Sequence, residues 1–76
     1  MFRTPRLLLE VHSAEGWKPV KIYCNFKSIR IMFNALPLIA RPYGGLDNVR
    51  VKYLATHDQI ADAKLAVYRQ DHNGRG

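Results

Sequence analysis

His12 and His57 are the one pair of side chains in this sequence able to act together as general acid and base, for instance in cleaving RNA by in-line attack of the 2′-hydroxyl while a lysine stabilises the phosphorane. That chemistry needs both imidazoles within reach of one substrate, and nothing in their placement along the chain brings them together. His72 falls in a polar tail. A non-catalytic protein is therefore expected, with a small ribonuclease as the catalytic alternative. Cys24 is the single cysteine; it alternates onto the apolar face of a strand and reads as a small core residue rather than a nucleophile. No Cys/His spacing fits a zinc site, and the acidic residues are few and scattered, so no metal or other cofactor is expected.

The more informative set is cationic and aromatic. Lys21, Tyr23, Lys27, Arg50 and Lys52 fall at alternating positions of two strand-like segments, which would place them on one sheet face. Phosphates need cations at several points along a track, and unpaired bases stack on exposed rings. The competing reading is a solvated face whose lysines discourage edge pairing. Trp17 stands where a hairpin loop is expected and either packs on Pro19 or anchors a partner. Arg3, Arg6, Lys18 and Arg41 could extend the positive surface, and Arg69 and Arg75 add charge near the end of the chain. The Pro42-Tyr43-Gly44-Gly45 segment lacks the Lys-Ser/Thr sequel of a phosphate-binding loop and reads as a turn.

These residues are positioned by five expected elements. Leu7, Leu9 and Val11 alternate with Leu8, Glu10 and His12 as in a strand, and Pro5 marks its start. Residues 13–17 have the length and glycine of a hairpin connection to a second strand around Val20, Ile22, Cys24 and Phe26. Ile29, Met32, Phe33 and Leu36 then form one helical stripe behind a Ser28 cap. Residues 28–36 also admit a strand, because Ile29, Ile31 and Phe33 alternate; the helix is preferred. Pro37 predicts a kink or an end there. Val49, Val51 and Tyr53 predict another strand, and Thr56 with Gln59 makes a capping box for a helix over 57–69, buried through Ile60, Ala61, Leu65, Val67 and Tyr68.

The expected fold is a small α+β domain of order ββαβα, a three-stranded antiparallel sheet with two helices on one face, spanning residues 1–70 and followed by a flexible polar tail, 71–76. Seventy-six residues bury a small core, and with one cysteine no internal disulfide helps; a homodimer would add burial. The three leucines near the start are too few for a signal peptide or a membrane span, so a cytoplasmic protein with no membrane role is expected. A net charge of +6 and a pI near 9.9 favour anionic partners. Two functions follow. The first is a basic module engaging nucleic acid or a nucleoprotein complex through the sheet face. The second is a small protein-binding modulator or inhibitor, of the kind phages and other mobile elements encode, that blocks a host nucleic-acid-processing or defence complex.

Overall fold

A computed structural model describes residues 5–73, with side chains described as far as Gln70. Arg3, Arg75 and the side chain of His72 lie outside the described residues. Strand β1 (Leu7–Ser13) and strand β2 (Gly16–Tyr23) form a hairpin, helix α1 (Phe26–Ala40) follows, and two short 3-10 turns lead into strand β3 (Val49–Tyr53) and helix α2 (His57–Asn73). The sheet has the order β2-β1-β3 with both pairings antiparallel. This is the ββαβα architecture expected from the sequence. The edge strands run parallel to each other, and α1 makes the long crossover that such a pair requires. The last helix extends to Asn73, past the expected helix end and into the segment assigned to the tail.

The hairpin is tighter than expected. Ser13 pairs with Gly16, leaving Ala14 and Glu15 as the loop, and Gly16 takes the left-handed φ of 102° that closes it. Trp17 therefore stands in β2 rather than in the loop. Beyond Lys21 the pairing slips by one residue, so that Val20 is bulged and Glu10 faces Pro19.

Consecutive Leu8 and Leu9 are 6% and 1% exposed, and in a strand they point to opposite faces, so both sides of β1 are covered. Leu8 packs in a cluster with Leu54, Ile60 and Ala63, joined by Ile22 and Val67, which places α2 on this face. Leu9 and Val11 occupy the other face, and the remaining buried apolar side chains, Ile29, Met32 and Ala40, all belong to α1. The two helices thus cover opposite faces, in contrast to the expected single layer. On α2 the buried stripe is Ile60, Ala63 and Val67, at i, i+3 and i+7, whereas Ala61, Leu65 and Tyr68 are exposed.

Residues 28–36 are helical, and α1 starts earlier than predicted. Asn25 is its cap, with Oδ1 accepting from the Ser28 N–H at 2.8 Å while the Ser28 hydroxyl donates to the Asn25 carbonyl at 3.1 Å. The helix continues through Pro37 to Ala40, so it does not end at the proline, one of the two outcomes, a kink or an end, expected there. Phe33, assigned to the buried stripe, is exposed. The Thr56–Gln59 capping box forms as predicted: the Gln59 N–H donates to Thr56 Oγ1 at 3.2 Å, and Gln59 Oε1 accepts from the N–H groups of Ala55 and Thr56. Cys24 lies past the end of β2 and is exposed, not a core residue.

Candidate functional site

Strand register decides which of the cationic and aromatic residues share a surface. Arg50 faces Glu10 and Lys52 faces Leu8, so both cations stand on the α2 side of the sheet. Trp17 faces His12 on the same side, two strands from Arg50. Lys21 faces Leu9 and Tyr23 faces Leu7, which puts both on the opposite side. Lys27 is in the first turn of α1. The five residues expected on one face are therefore divided between two faces and a helix. The physical reason is that alternation gives the phase within a strand, while the phase between strands is set by the hairpin loop and its bulge.

Helix α2 packs its apolar stripe on Leu8 and Ile22, and toward the hairpin end of the same face four side chains form a ladder across all three strands. Arg50 Nε donates to Glu10 Oε1 at 2.9 Å, and the guanidinium carbon lies 4.1 Å from the centre of the Trp17 ring. His12 meets the same indole edge-on, with ring centroids 5.1 Å apart. The Glu10 side chain is only 13% exposed against 49% for Arg50, so the carboxylate is sheltered beneath a guanidinium whose outer edge reaches solvent. Trp17 keeps 37% of its surface. The guanidinium is held at two points, by Glu10 through Nε and by the indole through stacking, and its terminal nitrogens have no other partner among the described residues. A fixed planar fork of this kind suits a phosphate or carboxylate, because little rotamer freedom remains to be lost on binding. Lys52 follows two residues along the same edge strand and is exposed, so a second cation continues the row.

On the other face Lys21 Nζ lies 5.3 Å from the centre of the Tyr23 ring, a local pair at i, i+2. At the hairpin tip Lys18 holds Glu15 at 2.8 Å, and this hydrogen bond and charge keep the Glu15 carboxyl below its ordinary value.

His12 and His57 are not brought together. β1 and β3 are antiparallel, so His12 lies at the hairpin end of the sheet and the β3 exit toward His57 at the other, about 16 Å away at 3.3 Å per residue along β1. His57 instead borders an open depression of about 740 Å³ with Arg6, Cys24, Tyr53 and Thr56. No hydrogen bond joins Cys24 to His57, so the thiol has no base set against it. Among the described residues no cluster of three or more His, Cys, Asp or Glu side chains could hold a metal ion, and no helix is long and apolar enough to cross a membrane.

Alternation along β1 and β3 sets Glu10 and His12 on the face of Arg50 and Lys52; the member that the sequence reading missed is Trp17, which it places in the loop. The polar run Glu10, His12 on a strand whose start is wholly apolar marks this face, but the constellation becomes readable only once Trp17 is placed in β2. No protein-family model, curated protein or solved structure matches this chain.

Proposed function

We propose that this chain is a small, basic, non-catalytic module that binds nucleic acid or a nucleoprotein complex through the sheet face that carries Trp17, Arg50 and Lys52. The observation that carries the reading is the braced Arg50: a guanidinium stacked on Trp17, tied to Glu10 and followed by exposed Lys52. In this reading Arg50 and Lys52 contact successive phosphates, and the exposed part of the indole gives an unpaired base a surface to stack on. Lys21, Tyr23 and Lys27 lie elsewhere and contribute only to the general positive field.

The test is fluorescence anisotropy with labelled single- and double-stranded RNA and DNA at about 50 and 200 mM salt, where phosphate contacts weaken steeply as salt rises. The Arg50→Glu, Lys52→Glu double variant is expected to bind roughly ten-fold or more weakly, and Trp17→Ala to lose affinity for single strands selectively. Lys21→Glu changes the charge of the opposite face and is expected to have a much smaller effect. No binding at the lower salt, or equal losses from Lys21→Glu and Lys52→Glu, would reject the sheet-end site.

The protein-binding modulator is the second reading. It is favoured by a different observation, the large apolar side chains that α1 presents to solvent.

A further inference from the structure

Helix α1 is apolar on more than its buried side. Ile29, Met32 and Ala40 face the sheet, yet Phe26, Ile31, Phe33 and Leu38 are 60%, 58%, 48% and 66% exposed. Helical geometry arranges the outward residues in three rows. Phe26, Phe33 and Pro37 fall along one edge, Ile31 and Leu38 along the other, and Lys27, Arg30 and Asn34 run between them. The charges have one sign only: no Asp or Glu occurs from Gly16 to Leu46, a stretch that carries Lys18, Lys21, Lys27, Arg30 and Arg41.

This order of rows restricts what can cover the helix. A bilayer surface favours cations at the margins of an apolar stripe, from which their stems reach back to water. Here Lys27 and Arg30 stand in the middle, so insertion of both apolar edges would drag the charges in with them. A second copy meeting α1 about a two-fold axis would set this cationic row against itself, and like charges pressed together in an apolar contact oppose association. What complements two apolar edges around a basic row is a helix with the same layout and the opposite sign. Ridge-into-groove packing at about 8–10 Å between axes would bring its carboxylates to the central row and its aliphatic side chains to the edges.

We propose that the outward side of α1 docks an acidic amphipathic helix of another protein, with its carboxylates on Lys27 and Arg30 and its apolar side chains against Phe26, Phe33, Ile31 and Leu38. The proposal rests on the protein-binding reading and is independent of the nucleic-acid site on the sheet. Asn34 and Pro37 complete the surface without adding charge, and the 15 residues of α1 match a partner of about four turns.

The test is selection from a displayed library of random 16-residue peptides on the intact protein, followed by affinity measurement on the synthesised winners. Enriched peptides are expected to carry Asp or Glu in a row flanked by Leu, Ile or Phe at helical spacing. Arg30→Glu and Leu38→Ser should each weaken them roughly ten-fold, and selection on the Lys27→Glu, Arg30→Glu double variant should yield basic peptides instead. All of these positions are solvent-exposed, and circular dichroism of each variant is expected to match the parent. Trp17→Ala should leave peptide affinity unchanged, which separates this surface from the sheet-end site. Absence of enrichment, enriched peptides that are not acidic, or affinities indifferent to Arg30 and Leu38 would overturn the proposal. So would finding that the same α1 variants abolish binding to vesicles containing phosphatidylserine, or abolish a dimer seen by sedimentation, while the peptides do not bind.

Discussion

At the hairpin end of the sheet single side chains decide the chemistry. Glu15 is fully exposed, yet its carboxyl is held below its ordinary value, first by the hydrogen bond from Lys18 and then by that residue's charge. A carboxylate whose folded value is depressed stabilises the hairpin at pH above its unfolded value, and the effect is lost as pH falls through the folded value. NMR titration of the Glu15 carboxyl is expected to give a midpoint below the 4.5 of a free glutamate, and Lys18→Ala should move it back up. A midpoint unmoved by Lys18→Ala would mean that the pair does not persist in solution. The effect on global stability should be slight, because water screens an exposed pair. This contact could not be read from residue spacing with Trp17 placed in an expected loop over residues 13–17. The same misplacement concealed Trp17 from Arg50: alternation gave correct spacing within each strand, but a two-residue loop and a bulge set which side of the sheet each residue reached.

At the scale of elements α1 holds an unfavourable residue without breaking. Pro37 removes one backbone donor and crowds the carbonyl four residues before it, a cost of about 3 kcal/mol in a helix interior. The helix nevertheless runs on to Ala40, whose side chain is fully buried, and this burial beyond the proline, with that of Met32 before it, offsets the local cost. Pro37 itself is exposed, so replacing it by alanine removes little packing and restores a donor. Pro37→Ala is expected to raise the melting temperature by several degrees, since about 1 kcal/mol shifts a domain of this size by roughly 4–8 °C. An unchanged or lowered melting temperature would mean that the proline ring packs on something. The capping box of α2 was legible because both of its partners lie within one local motif. The cap of α1 was misassigned to Ser28 because Ser28 is itself part of the cap, three residues inside it and bonded back to Asn25.

At the scale of the whole molecule the decisive feature is a strand covered on both sides. The Leu7-Leu8-Leu9 run has no polar residue between its apolar ones, the pattern of a strand buried on both faces, whereas Glu10 and His12 restore the alternation of a half-open strand. Both patterns are real: α2 packs its apolar stripe on Leu8, and Glu10 lies under the Trp17–Arg50 ladder. Reading the alternating half alone leads to both helices on one face and a continuous cationic surface on the other. The two-sided arrangement makes a discriminating prediction. Leu8→Ala and Leu9→Ala each remove a buried isopropyl group from a different helix–sheet interface, and each is expected to cost about 2–5 kcal/mol in guanidinium unfolding. With both helices on one face, one of these variants would instead fall within about 0.5 kcal/mol of the parent. A domain of this length has roughly 4–11 kcal/mol of stability, so either deletion takes a large share, and the double variant is expected not to fold. A neutral Leu8→Ala would mean that α2 does not pack on the face of the sheet that carries Arg50 and Lys52.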